Sequence, residues 1–217
     1  MYMKRVTVLL CALTCVWSAN AQFTLTPNGF VSDNPADDDF YLIECPGQGA
    51  EDIFRAVAYF MESSFPFPWT QFNAIEPESF TVFTVVPDAV VDGRRPTAGK
   101  VYDMEFRWRV DIRDGMIRLW VPEIGSLSRE KRNTVSFDVG VGIGTESVEL
   151  PVVGRSFVFV STNYLPGQTR RYRTGSSAIF NRKGKLKREI LKASLEDYFN
   201  SMTGSLEKYL SGRNDEW

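Results

Sequence analysis

The stretch FRWRVDIRDGMIRLWV (residues 106–121) predicts the fold of this chain. Apolar and charged side chains alternate on both sides of Asp114-Gly115, a pattern typical of β-strands with one buried face. Asp-Gly is favoured in two-residue hairpin turns because it tolerates positive φ. Such a turn places three apolar pairs on one face: Ile112 with Ile117, Val110 with Leu119 and Trp108 with Val121. Turn chemistry and hydrophobic pattern therefore agree on an antiparallel hairpin.

The opposite face of this hairpin is charged. The same register puts Asp111 opposite Arg118 and Arg109 opposite Trp120. A cross-strand ion pair or a cation–ring contact contributes up to about 1 kcal/mol at an exposed position. Because acids and bases alternate here, we interpret this face as solvated; a ligand-binding surface is the alternative.

The remaining elements indicate an α+β protein. Residues 40–45 and 79–86 have strand composition, and residues 50–62 have helical periodicity with acids in the first turn. Residues 185–210 carry a second apolar stripe, in which Thr203-Gly204 is a potential break. We predict a single domain over residues 22–217, with an antiparallel β-sheet, helices packed on one face, a strand-rich insertion at about 125–180 and the C-terminal helix 185–210.

The N-terminal segment predicts export. A basic start at Lys4 and Arg5 precedes an apolar run and the small-residue pattern Ala19-Asn20-Ala21, so we predict a signal peptide cut after Ala21. The exported chain is then periplasmic or extracellular, with no further segment long enough to cross a bilayer. Cys45 remains as its one cysteine, which excludes an internal disulfide.

The order strand, helix, strand, hairpin and late helix resembles a family of secreted proteins of unknown function from Bacteroides-type bacteria. Three places carry the resemblance: residues 50–62, the hairpin VYDMEFRWRVDIRDGMIRLWVPEI, and the RKGKLKREI start of the last helix with Asp197 and Phe199 beyond it. The resemblance implies a TATA-binding-protein-like fold with a β-α-β-β-β-α core and brings no catalytic residues. It implies nothing about DNA, because a fold does not determine a function. The chain departs from the family at residues 125–179.

Most catalytic chemistry is excluded by residue type. The chain has no histidine, which removes the commonest general base and the usual zinc ligand. Ser-x-x-Lys occurs at residues 128–131 and 205–208 and Ser-Asp-Asn at 32–34, but their order is wrong for a penicillin-binding enzyme and Lys-Thr-Gly is missing. We therefore expect no cofactor, no metal and a non-catalytic role.

Acidic and glycine-rich motifs leave one catalytic alternative open. Glu76 with Glu78, or Glu146 with Glu149, supply the carboxylate pair of a hydrolase acting on glycans or peptidoglycan, although sequence does not report their separation. Asp33, Asp37, Asp38 and Asp39 are possible oxygen ligands but lack the spacing and the glycine of a calcium loop. The glycines at 140, 142 and 144 do not match a dinucleotide fingerprint.

A basic segment is the candidate binding site. No acid occurs from Gln168 to Arg188. The candidate residues are Arg170, Arg171, Tyr172, Arg173, Arg182, Lys183, Lys185, Lys187 and Arg188. Export argues against nucleic acid, so we expect an acidic envelope component or another protein as partner. A solvated face is the alternative, and the oligomeric state stays open.

Overall fold

The structure, a computed structural model, describes residues 22–34, 39–93, 99–141, 144–161 and 177–212. The predicted signal peptide and residues 170–173 of the basic segment lie outside these ranges. The elements in chain order are β1 (Phe23–Thr26), β2 (Gly29–Ser32), β3 (Phe40–Glu44), α1 (Ala50–Ser64), β4 (Gln71–Ile75), β5 (Ser79–Asp92), β6 (Lys100–Arg113), β7 (Met116–Trp120), β8 (Glu123–Val141), β9 (Gly144–Ser161), β10 (Ser177–Phe180) and α2 (Glu189–Gly212).

Strand β6 is the centre of the main sheet. It pairs with β5 along one side, and on its other side it pairs first with β8 and then with β7. The sheet has the order β10-β9-β8-β6-β5-β4, and β7 connects β3 to β6. All these pairs are antiparallel except β9 with β10, which is parallel. The predicted α+β class with an antiparallel sheet is confirmed, and the strand-rich part of residues 125–180 is the long β8–β9 hairpin followed by β10.

The predicted hairpin register is confirmed for its first two apolar pairs. Ile112 pairs with Ile117 and Val110 with Leu119. The expected pairing of Trp108 with Val121 is wrong. Strand β7 ends at Trp120, the Val121 amide donates to the Asp39 carbonyl, and the Trp108 indole donates to the Trp120 carbonyl at 2.8 Å. The next residue is Pro122, which has no N–H to continue the ladder.

Both helices pack on the apolar face of the sheet. The ring of Phe199 on α2 lies 5.2 Å from that of Phe106 and 5.5 Å from that of Trp108, in edge-to-face geometry. Helix α1 adds the contact of Phe54 with Phe80. All of these side chains belong to one continuous hydrophobic core. Helix α2 begins at Glu189, later than predicted, and runs unbroken through Thr203, whose buried hydroxyl donates to the Phe199 carbonyl.

A two-stranded β1–β2 sheet packs against α2 and was not expected from the sequence. The Asn200 side chain accepts a hydrogen bond from the Phe23 amide at 2.8 Å and donates to the Phe23 carbonyl at 3.1 Å. The Leu25 amide donates to Glu196. The available signal was Asn28-Gly29, a hairpin dipeptide whose glycine has a φ of 122°.

Strand β4 was also missed, and it covers only part of the free edge of β5. Beyond β4, the Trp69 indole donates to the Val85 carbonyl and the Val91 amide donates to Ser194 of α2. These side-chain bonds replace a neighbouring strand, so this part of the edge is protected from pairing with another chain. In the ranges that the structure describes, neither helix is both long enough and apolar enough to span a membrane.

The central ring contact should dominate stability. Phe199→Ala removes a fully buried ring and is expected to lower the free energy of unfolding by about 3–5 kcal/mol, measured by urea denaturation. Phe83→Ala is the matched control, because its ring is 40% exposed on the outer face of β5; a loss of about 1 kcal/mol or less is expected there. Equal losses in the two variants would contradict this account of the core.

Candidate functional site

The described part of the basic segment forms an ordered loop. We call residues 181–187 the basic loop; its four cations, Arg182, Lys183, Lys185 and Lys187, are all exposed. The Asn181 side-chain oxygen accepts hydrogen bonds from the amides of Lys183 and Lys185, at 2.8 and 2.9 Å. The Asn181 amide donates to the Lys185 carbonyl, and Gly184 adopts the positive φ of 74° that the turn requires.

The far side of the basic loop is fastened to the sheet. The Lys187 amide donates to the Ile179 carbonyl at 2.8 Å, and Leu186 forms an antiparallel bridge with Phe180 at the end of β10. The backbone of the loop is therefore fixed, and its cationic side chains extend from a defined turn. The structure brings these four predicted site residues together.

Arg188, the last residue of the predicted basic segment, has a different role. Its guanidinium forms an ion pair with Asp92 at the end of β5 and donates to the Tyr102 hydroxyl at 3.3 Å. The two charged side chains are only 22% and 21% exposed. Arg188 therefore ties the start of α2 to the sheet, and its charge is largely neutralised by Asp92.

The outer face of the sheet holds a second polar arrangement, organised by Asp111. One Asp111 carboxylate oxygen accepts from Arg109 Nε at 2.7 Å, and the other accepts from the Trp120 indole at 2.9 Å. The Arg109 guanidinium lies 5.5 Å from the centroid of the Trp120 ring, as the register predicted. Asp111 and Arg118 are paired in register, but Arg118 lies over the Phe40 ring at 4.4 Å instead of forming the expected ion pair.

A cleft opens beside this arrangement. Its volume is about 360 Å³, and it is lined by Asp39, Arg107, Arg109, Trp120, Val121 and Glu123. Arg107 and Glu123 face each other loosely, with Nη1 and Oε2 3.9 Å apart. The sequence interpretation of this face as merely solvated overlooked the cleft. The available signal was Trp120, an aromatic residue on the face that the register predicted to be solvated.

The catalytic candidates do not form a site in the described residues. Glu76 and Glu78 are exposed in the turn between β4 and β5, outside the cleft. Glu146 and Glu149 lie on β9, where their side chains are outside the described part. The Ser205 hydroxyl donates to the Ser201 carbonyl of its own helix. Within the described ranges, no group of three or more possible metal ligands occurs.

Three groups have a raised pKa, and burial is the main cause for each. Burial raises the pKa of the Cys45 thiol and raises that of the Tyr198 phenol to about 12. Burial also raises the pKa of Tyr41, with a further rise from the charge of Glu207, while a hydrogen bond from Gln22 opposes both. All three groups therefore favour their neutral forms, the opposite of what a thiolate or phenolate nucleophile requires.

Two solved structures are similar to this chain. No protein-family model and no curated protein sequence matches this chain. It is similar to the crystal structure of a TBP-like protein from Parabacteroides distasonis ATCC 8503, with 9% identity and a TM-score of 0.43 over 79% of this chain and 90% of that one. It is also similar to a DUF4468 family protein from Bacteroides ovatus ATCC 8483, with 9% identity and a TM-score of 0.44 over 77% and 84%. Membership of the family named above stays a prediction.

Arg188 and Lys187 should behave differently although they are neighbours. Arg188→Gln removes a largely buried ion pair and is expected to lower the free energy of unfolding by about 1–2 kcal/mol. Lys187→Gln removes the same charge at an exposed position and is expected to change the free energy of unfolding by about 0.5 kcal/mol or less. Urea denaturation of both variants tests this, and a larger effect from Lys187→Gln would contradict it.

Cys45 should be an unreactive thiol. It is 2% exposed and its pKa is raised, so alkylation by iodoacetamide at pH 8 should be at least about tenfold slower in the folded protein than in urea. The control is Ser201→Cys in a Cys45→Ala background, which places a thiol at an exposed helix position. Because the pKa of Cys45 is raised, its rate should also rise at a higher pH than that of the control. Equal rates for the two thiols would show that Cys45 is accessible.

Proposed function

We propose that this chain is an exported, non-catalytic binding or assembly protein of the bacterial cell envelope, and that it binds an acidic envelope component through the basic loop. The observation that carries the proposal is the loop itself. Four cations project from a turn of seven residues whose backbone is fixed by Asn181 and by the bridge to Phe180. A fixed loop loses little conformational freedom on binding, so more of its electrostatic attraction appears as affinity.

The charges of the loop favour an anionic partner. Lys183, Lys185 and Lys187 are exposed, and the chain has no acid between Gln168 and Arg188. Each cation near an anionic surface contributes about 1 kcal/mol, and salt weakens this attraction. The proposal extends to Arg170, Arg171, Tyr172 and Arg173, which lie outside the described residues and shortly precede β10 in the chain. Arg170, Arg171 and Arg173 would add three positive charges to the segment.

Export and family membership form part of the proposal. The basic start, apolar run and Ala19-Asn20-Ala21 pattern support a signal peptide, and the three matching places in the sequence support membership of the secreted Bacteroides-type family. An exported protein meets anionic lipid headgroups, acidic glycans and acidic proteins. The shared chemistry of these partners is a high density of negative charge.

Binding to anionic probes tests the role of the loop. The exported chain (residues 22–217) is titrated with vesicles of phosphatidylglycerol and phosphatidylcholine, with vesicles of phosphatidylcholine alone, and with an acidic polysaccharide, each at about 50 and about 300 mM salt. The triple change Lys183→Gln, Lys185→Gln and Lys187→Gln should weaken anionic binding about a hundredfold at low salt, since three cations are lost. Preference for the vesicles or for the polysaccharide identifies the source of the charge.

A matched variant separates the loop from net charge. Arg55→Gln, Lys100→Gln and Lys208→Gln remove the same charge from exposed positions elsewhere and should change affinity less than about threefold. Equal weakening in the two triple variants, or no weakening in the loop variant, would overturn the assignment of the site to this loop.

A further inference from the structure

The outer-face cleft is separate from the basic loop. None of its lining residues belongs to the loop, and two strands, β8 and β9, lie between β6 and the β10 edge from which the loop extends. The cleft instead occupies the outer face of β6, where β7 ends and β8 begins. An inference about the cleft therefore does not rest on the proposed function.

Two side chains of the cleft are held in place before any ligand binds. Asp111 accepts from Arg109 Nε with one carboxylate oxygen and from the Trp120 indole with the other, at 2.7 and 2.9 Å. Asp111 is itself only 24% exposed. One carboxylate thus sets the position of both the guanidinium and the indole ring. Groups fixed in this way lose little freedom when a ligand arrives.

The cleft retains unused donors. Within the described residues Arg109 is bonded only through Nε, so its two terminal nitrogens stay available. Arg107 occupies the same face two residues away, about 7 Å along the strand, and its one described partner, Glu123, is 3.9 Å distant. Both arginine side chains line the cleft, so together they can offer N–H donors to a carboxylate.

We propose that this cleft binds one ring of an acidic saccharide. The saccharide ring packs against the part of the Trp120 indole that the Arg109 guanidinium and the Phe40 ring leave uncovered, since sugar C–H faces and indole rings form apolar contacts of suitable size. The sugar carboxylate lies between Arg107 and Arg109, and a ring hydroxyl donates to Glu123. An isolated anion would use the arginines but not Trp120, and a lipid tail would use neither arginine. The cleft volume of about 360 Å³ falls in the range of small-ligand sites.

Calorimetric titration tests the ligand class. The exported chain is titrated with a galacturonate trimer and with the matched galactose trimer, which lacks the carboxylates. The acidic trimer should bind at least about tenfold more tightly than the neutral one, because a charged hydrogen-bond pair is worth about 1.4 kcal/mol or more. Absence of binding by the acidic trimer at concentrations up to about 10 mM would overturn the proposal.

Arginine variants locate the site. Arg107→Gln and Arg109→Gln should each weaken binding of the acidic trimer about tenfold, whereas Arg113→Gln, an exposed arginine of β6 outside the cleft, should change it less than about twofold. Arg107 is 55% exposed and weakly paired, so its replacement should leave the fold intact, as circular dichroism will show. Unchanged binding in both cleft variants, or equal weakening by Arg113→Gln, would overturn the assignment.

Two further variants divide the contributions to binding. The first separates the aromatic contact of the cleft from its charged contacts, and the second separates the cleft from the basic loop. Trp120→Phe keeps an aromatic ring but loses the bond to Asp111, and it should weaken the acidic and the neutral trimer by a similar factor of about three to ten. The basic-loop triple variant should bind the trimer as the unmodified chain does. Loss of trimer binding in the loop variant, with retention in the Arg109→Gln variant, would transfer saccharide binding from the cleft to the loop.

Discussion

The packing of Phe199 against Phe106 and Trp108 is the contact on which the rest of the structure depends. These three rings meet edge to face, and all are essentially inaccessible to solvent. Phe199 also meets Phe30 of the β1–β2 sheet at 5.3 Å, so a single side chain of α2 joins both sheets. Burial of these large rings removes much apolar surface from water, which stabilises the fold. The domain depends on such burial because its described residues contain one buried cysteine and no disulfide.

Because one face of β6 is buried in this core, the side chains of its other face point away from the core. Side chains of a strand alternate between faces, so burial of Phe106, Trp108 and Val110 directs Arg107 and Arg109 outward. The hydrogen bond from Arg109 to Asp111 then fixes the position of Arg109, whereas Arg107 lies only loosely beside Glu123. The polar face is thus an ordered consequence of the apolar one.

Sequence reasoning succeeded where one local rule was strong. The period-two pattern and the Asp114-Gly115 turn predicted the register of β6 with β7, and helical periodicity predicted α1. It failed where weak local signals needed a tertiary partner. Strand β4 carries no alternating pattern of burial, and the β1–β2 sheet depends on Asn200, 177 positions away from Phe23. The basic segment was predicted as one binding site, but Arg188 forms an ion pair with Asp92 instead. No sequence rule connects Asp92 to Arg188.

The cleft illustrates why a binding site is harder to predict than a register. It lies where β6 exchanges one neighbour for another, and that exchange follows from Pro122, which ends the β7 ladder and lets β8 begin at Glu123. Between these two ladders the edge of β6 opposite β5 has no continuous neighbour, and Arg107, Trp120 and Val121 line an open space there. The alternation of charges suggested a solvated face because that pattern assumes the same surroundings for every outward-facing residue of a strand. A single proline breaks that equivalence, and the resulting gap in the sheet surface is where a ring-shaped ligand would find both an aromatic wall and unused guanidinium donors.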